Sequence, residues 1–391
     1  MGRNKKLQEI DLSLNSLVIF RKLLTHDVIL PLRALLDTES MDPIIQLRQY
    51  TEFITRLYAR STNLTEYVFR LVCEDDNFYV RAVANGEAVD PMLEACVQNE
   101  LAILQRMARL RPHELQKEVS YYGVLPEWKT SDLDFGAEFH ARLREIGKYG
   151  YGKFADNSMF VIRNEQCVPV RHPDPVMPDD LFGYETERQA VMQNTHALLA
   201  GKTAQNILLY GDAGTGKSTT VKAVVNACFS QGLRLIQIGK EQLSMLPDIM
   251  EQIYDNPLKF ILYVDDLTFR SGDNSFGVLR SALEGSVAAK PKNAVIYATA
   301  SSLPPAAAGD EELRALSDRF GIQIHFAQPD SADFVNTVQQ MALKAGLKTA
   351  PEALAAMAGV YAEQSGRYSP RAAKQFVEQL AAKESDPEFT A

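Results

Sequence analysis

The chain has 391 residues, too many for one small core, so two domains are the soft expectation. Hydrophobic residues make up 46% and charged residues 23%, ordinary for a soluble globular protein. Basic residues number 41 against 50 acidic ones, a net charge of −9 that argues against a surface given over to coating nucleic acid, though not against a local basic patch.

The first six residues, Met1-Gly2-Arg3-Asn4-Lys5-Lys6, are basic, but Glu9 and Asp11 interrupt any secretory apolar core. Leu7 stands where a lipidation signal starting at Gly2 prefers Ser or Thr. No apolar run approaches the ~18 residues that a membrane span requires. Cys73, Cys96, Cys167 and Cys228 are far apart and form no C-x-x-C pair, so they read as thiols in a reducing compartment. A cytoplasmic protein is expected.

Residues 12–37 carry Leu14, Leu17, Val18, Phe20, Leu23 and Leu24 at helical spacing, with Pro31 set to kink or split the helix. A second helix is expected from Pro43 to Ala59, and others over 64–84 and 89–111. Arg106, Arg109 and Arg111 fall near the end of the last, where cations suit the helix dipole. Residues 120–157 are rich in aromatics, among them Trp128, Phe135, Phe139 and Phe154, with Tyr149-Gly150-Tyr151-Gly152-Lys153-Phe154 at the end. Aromatics beside basic residues can stack on bases, but packing a small core is the commoner use. Met159-Phe160-Val161-Ile162 reads as a short strand. Pro169, Pro173, Pro175 and Pro178 then mark an extended, semi-rigid linker.

From Leu181 the pattern alternates between helices and short apolar strands, as in a parallel α/β sheet. Five strands are expected, at 206–210, 233–238, 260–264, 294–299 and 322–326, each apolar enough to be covered on both faces. The first leads into Gly211-Asp212-Ala213-Gly214-Thr215-Gly216-Lys217-Ser218 and a helix opening at Thr219, which fits the phosphate-binding pattern G-x-x-x-x-G-K-[ST]. Its glycines let the backbone curl so that amide N–H groups face a phosphate, and the helix N-terminus adds partial positive charge. Lys217 can then reach the β- and γ-phosphates, and Ser218 can ligate Mg²⁺.

The third strand ends in Asp265-Asp266, at the edge where a crevice forms in such sheets. Asp265 is the candidate Mg²⁺-holding acid and Asp266 the candidate general base that orients an attacking water. The fourth strand ends in polar residues, of which Thr299, Ser301 and Ser302 could sense the γ-phosphate or the water. Arg319, in Leu316-Ser317-Asp318-Arg319-Phe320, is a candidate arginine finger; pairing with Asp318 is the alternative. After Pro329 only helices are expected. Ser369-Pro370 opens the last one, with Ser as N-cap and Pro at the first position. Arg371 then lies in the first turn, against the dipole. That placement marks it for a nucleotide phosphate, with Arg367 as second choice.

In this order, the phosphate loop, Asp265-Asp266, the polar fourth-strand end, Asp318-Arg319-Phe320 and Ser369-Pro370-Arg371 resemble the AAA+ ATPases. Leu181-Phe182-Gly183-Tyr184, Asn194-Thr195, Leu208-Leu209-Tyr210, Leu283-Glu284-Gly285, Tyr297-Ala298-Thr299 and Ala372-Ala373-Lys374-Gln375-Phe376 look like a bacterial AAA+ family known as a domain of unknown function. The resemblance covers about residues 178–384. It implies ATP and Mg²⁺ as ligands, hydrolysis, homo-oligomeric assembly with Arg319 acting in trans, and Phe182-Gly183-Tyr184 bordering the adenine. The expected architecture is a mainly helical N-terminal domain (1–170) that selects a protein or nucleic-acid partner, a linker (171–180), an α/β core with a five-stranded parallel sheet flanked by helices (181–328) and a C-terminal helical lid (329–391). Two departures stand out. Most AAA+ members carry Glu where Asp266 stands, which implies slower hydrolysis or a shifted water, and the usual Asn of the fourth strand is absent. A nucleotide-controlled switch with little turnover is the alternative to a remodelling or loading ATPase. A threading unfoldase is less favoured, because the loop Gly239-Lys240-Glu241-Gln242-Leu243 holds no aromatic residue.

Overall fold

The computed structural model describes residues 5–37, 42–267, 275–284, 291–303 and 315–385. It divides into two compact units, Met1–Asp156 and Asn157–Ala391.

The first unit is helical. Side-chain caps set its helix starts: Asp42, Asn63, Asn77, Asp90 and Asp134 each accept a backbone N–H of the first turn, at the head of Pro43–Tyr58, Leu64–Glu74, Phe78–Ala84, Pro91–Ala108 and Phe135–Arg144. Asn77 is why the single helix expected over 64–84 is two. The helix expected over 12–37 is also broken, and not by Pro31. Lys5–Asn15 ends early, and Pro31 sits harmlessly in the first turn of the separate helix Ile29–Ala34. The break is made by Glu100, whose buried carboxylate accepts the backbone N–H groups of Val18, Ile19 and Phe20 at 2.8–3.2 Å. Three amides bound to a side chain cannot also serve a helix. Trp128, Phe135 and Phe139 are core residues here, and Trp128 donates its indole N–H to the carbonyl of Leu110 at 2.8 Å. Arg109 donates to Asp132 and to the Leu133 carbonyl. The aromatic stretch is therefore largely packing, although Tyr121 and Tyr122 are exposed.

The second unit is built on a sheet of seven strands: β1 (Met159–Arg163), β2 (Gln166–Pro169), β3 (Ile207–Gly211), β4 (Leu233–Ile238), β5 (Lys259–Leu267), β6 (Ala294–Ala300) and β7 (Ile322–Phe326). Their order is β2-β1-β4-β5-β6-β3-β7, and all neighbours are parallel except β1 and β2. The five expected strands are β3–β7; the expected total of five was short by a hairpin. Asn164 and Glu165, both at positive φ (48° and 60°), turn β1 into β2. β1 then pairs in parallel with β4, Met159 beside Leu235. The strand expected at Met159–Ile162 thus extends the sheet, and the structural division falls at 156/157 instead of 170. The proline-rich stretch that follows is held along the phosphate-loop helix Lys217–Cys228, where Asn226 donates to the carbonyls of Asp174 and Val176, each at 2.8 Å.

Several residues that carry the resemblance hold this frame. Asn194 and Thr195, on the helix Glu185–Leu199, bond the buried Tyr297 hydroxyl at 3.0 and 2.9 Å, and Asn194 also bonds both backbone groups of Gln205. A buried, fully paired polar cluster fixes one packing arrangement of helix on sheet. Gly285 lies outside the described residues. The lid consists of Ser331–Lys344, Pro351–Ser365 and Pro370–Glu384 around Phe334, Val338, Leu354, Phe376 and Val377.

Candidate nucleotide-binding site

β3 enters the phosphate loop at Gly211, where φ is +133° and an added Cβ would stand 2.2 Å from the carbonyl oxygen of Phe326 on β7. No other residue fits there. Gly214 and Gly216 follow at +85° and +96°, and the helix begins at Lys217. The Lys217 ammonium donates to the carbonyls of Gly211 (2.6 Å) and Asp212 (2.7 Å). Burial lowers its pKa, although Asp212, Asp266 and Asp265 pull the other way.

Across the crevice, Asp265 and Asp266 occupy a bulge in β5. Val264 pairs with Ala298 and Leu267 with Ala300, so the two acids face the single residue Thr299. Asp266 takes the left-handed conformation (φ 54°), which a non-glycine residue seldom adopts, and lies exposed at the crevice. Its N–H donates to Thr299 Oγ1 at 2.9 Å, and Thr299 in turn donates to Asp265 Oδ1 at 2.7 Å. Ser218 Oγ donates to the same Oδ1 at 2.8 Å. Burial would raise the pKa of Asp265, but the hydroxyls of Tyr263, Thr299 and Ser218 outweigh it and hold the carboxyl below its usual range. An ionised carboxylate touching a serine hydroxyl is the donor set that suits a hard cation carried by phosphates.

The crevice opens into a cavity of about 880 Å³. Phe182, Gly183, Tyr184, Gly211, Ala213–Thr219, Asp265, Asp266, Thr299, Ser301 and Arg371 all line it. Tyr184 sits at positive φ (56°), its ring against Phe326 and its hydroxyl on the Ala327 carbonyl at 2.6 Å. Arg371 hangs over the loop, its backbone N–H donating to the Gly214 carbonyl at 3.3 Å. Four candidates lie elsewhere. Asp212 and Arg367 line a smaller cleft behind the loop. Ser302 does not line the cavity. Arg319 is absent from the lining and donates to the Ala315 carbonyl at 2.6 Å.

Sequence reasoning missed Arg188, Met341, Lys344, Lys374 and Glu378, which complete the walls. Lys344 joins the lid to the segment before the loop. It donates to Asp180 at 2.6 Å and the Asp179 carbonyl at 2.7 Å, and stands 5.7 Å from the Phe182 ring. No local pattern signals Met341, Lys344, Lys374 and Glu378, because lid packing places them, while Arg188 on Glu185–Leu199 is held by the carbonyls of Pro178 and Leu181.

A parallel α/β core, a phosphate loop between β3 and its helix, and a helical lid over the crevice define an AAA+-type P-loop fold. The chain belongs to the family described as Protein of unknown function (DUF815), whose match spans residues 155–384. No curated protein matches it. Among solved structures it is similar to the Thermotoga maritima RuvB Holliday junction branch migration motor, at 16% identity over 52% of this chain and 63% of that one, with a TM-score of 0.38. Two single-substitution variants of that motor align at 16% and 15% identity, over 53% and 55% of this chain and 65% and 67% of theirs, both with a TM-score of 0.39. The chain thus spans under two thirds of the first of these structures.

Proposed function

We propose that the second unit binds ATP with Mg²⁺ and hydrolyses it, and that the cycle moves the lid against the core to act on a partner selected by the first unit. The observation that carries this reading is the convergence of Lys217, Ser218, Asp265, Asp266, Thr299 and Arg371 on one cavity from four separate segments. In this reading the loop amides and Lys217 hold the phosphate tail, while Ser218 and Asp265 hold the cation. The cation would neutralise charge on the β- and γ-phosphates. Asp266 accepts the proton of the attacking water, and its left-handed backbone turns the carboxylate towards the crevice. Phe182, Gly183 and Tyr184 border the base.

Arg319 stands outside its own cavity, which suits a guanidinium offered to a neighbouring protomer. We infer homo-oligomeric assembly with shared sites. Mixing Arg319→Ala with Lys217→Ala protomers is expected to restore part of the activity, and no recovery at any ratio counts against sharing.

The short side chain of Asp266 supports a second reading, a nucleotide switch with little turnover. Steady-state ATP hydrolysis by wild type beside Asp266→Asn separates the two. Turnover that falls at least tenfold in the variant supports the ATPase; wild-type turnover at background supports the switch. Light scattering with and without ATP and Mg²⁺ reads the assembly, and capture of interactors on residues 1–156 addresses the partner.

A further inference from the structure

Phe182-Gly183-Tyr184, the segment read above as bordering the base, follows a short turn, Pro178–Asp180. Two cations grip that turn. From the helix Glu185–Leu199, Arg188 donates to the carbonyls of Pro178 at 3.1 Å and Leu181 at 2.6 Å. From the lid, Lys344 donates to the carbonyl of Asp179 at 2.7 Å and the carboxylate of Asp180 at 2.6 Å. The same carboxylate accepts the Met177 N–H at 2.8 Å, so one acid closes the turn and receives the lid. The bond from Lys344, followed by the one from Met177, holds Asp180 below the usual carboxylate range. Lys344 ends the helix Ser331–Lys344, and Met341 and Thr337 precede it by three and seven positions on the same face. Met341 lines the cavity, and Thr337 Oγ1 would stand 3.8 Å from a Cβ added at Gly183. The last turn of a helix suits any cation. That accounts for a lysine there, but not for two bonds to one turn and an ammonium 5.7 Å from the Phe182 ring. The other lid contact, the Arg371 N–H on the Gly214 carbonyl, falls on the phosphate loop and comes from a different lid helix.

We propose that Lys344 is a positioning residue for the base of the nucleotide: by tying the lid to the turn Pro178–Asp180 it holds Phe182 at the cavity wall, so that lid closure and base binding are one equilibrium. The proposal rests on the nucleotide-binding reading above. It adds a residue that no phosphate-loop pattern contains, and it gives the lid a task at the base that is separate from the one Arg371 has at the phosphates.

The test is calorimetry of ATP with Mg²⁺ on the full chain and on Lys344→Met, which removes the ammonium and keeps an unbranched stem. The Lys344–Asp180 pair is exposed, with side chains 49% and 46% accessible, so the variant should melt within about 2 °C of wild type. With the turn tied by Arg188 alone, the binding-competent wall is populated less, and ATP affinity should fall about three- to tenfold. Lys344→Arg keeps the charge and the donors and should recover most of that loss. In Phe182→Leu the wall has already lost its ring, so adding Lys344→Met there should cost less than about twofold more. Equal affinity in wild type and Lys344→Met, or full additivity of the Lys344 and Phe182 losses, would overturn the proposal and leave Lys344 a surface lysine. A wild-type protein that bound no ATP would instead overturn the nucleotide reading itself, and the proposal with it.

Discussion

Thr299 is 2% exposed and is the pivot between the two acids, since it donates to Asp265 and accepts from the Asp266 N–H. Thr299→Val keeps the volume and deletes both bonds. At Asp265 the loss is small in the metal-free protein, because Tyr263 and Ser218 still serve Oδ1. At Asp266 the N–H loses its acceptor, which costs about 1–3 kcal/mol. Thr299→Ser keeps the hydroxyl and gives up one buried methyl, about 0.8 kcal/mol. For a domain of this size each kcal/mol lowers Tm by about 2–4 °C, so the valine variant should melt roughly 2–12 °C lower and the serine variant about 2–3 °C lower. The chain has one tryptophan, Trp128, buried in the first unit. Its emission therefore reports that unit, while far-UV circular dichroism reports both. The shift should appear in the circular dichroism transition and leave the tryptophan transition in place. A valine variant that melts as high as wild type, or higher than the serine variant, would refute the reasoning.

Gly211→Ala should be among the most damaging single substitutions. Its Cβ would meet the Phe326 carbonyl at 2.2 Å, where ordinary contact begins near 3.4 Å, and φ is +133°. We expect a loss of about 4 kcal/mol or more, read as insoluble expression or a collapsed urea midpoint; a midpoint within 1 M of wild type would contradict the geometry. In the first unit, burial and the neighbouring Asp156 push Glu74 up to about 8. A folded-state pKa above the unfolded value contributes stability that is full below about pH 4.5 and is lost as pH rises through 8. The tryptophan-reported midpoint should therefore fall between pH 5 and pH 9 in wild type and change much less in Glu74→Gln; parallel profiles would exclude Glu74 as the source.

The phosphate loop was legible because its constraint is local. Glycines, lysine and serine at fixed spacing each answer to one piece of backbone or ligand geometry. β3, β5 and β6 were legible because a strand covered on both faces reads as an apolar run. The edge strand β7 departs from the expected cover on both faces: Gln323 and His325 are exposed between Ile322, Ile324 and Phe326. What escaped sequence reading depends on distant partners. Nothing in Val18, Ile19 and Phe20 announces that Glu100 will take their amides. Nothing in Met159–Ile162 announces pairing with a strand that starts some 70 residues later. Tyr263 reads as one more apolar strand residue, and its hydroxyl bond to Asp265, two positions on and on the same face, is not announced by its neighbours. Lys344 and Lys374 are ordinary helix-surface lysines until the lid folds over the crevice. Arg371 stands out in the sequence by a local anomaly, a cation in the first turn of a helix, where the dipole disfavours it, and it lines the cavity.

Isothermal titration of ATP with Mg²⁺ into the folded protein, with Lys217→Ala alongside, is the most direct measurement. Saturable heat at one site per chain in wild type, abolished or weakened at least tenfold in the variant, is the expected result. No heat in wild type, or equal heat in both, would contradict the assignment of Gly211–Ser218 as the phosphate cradle.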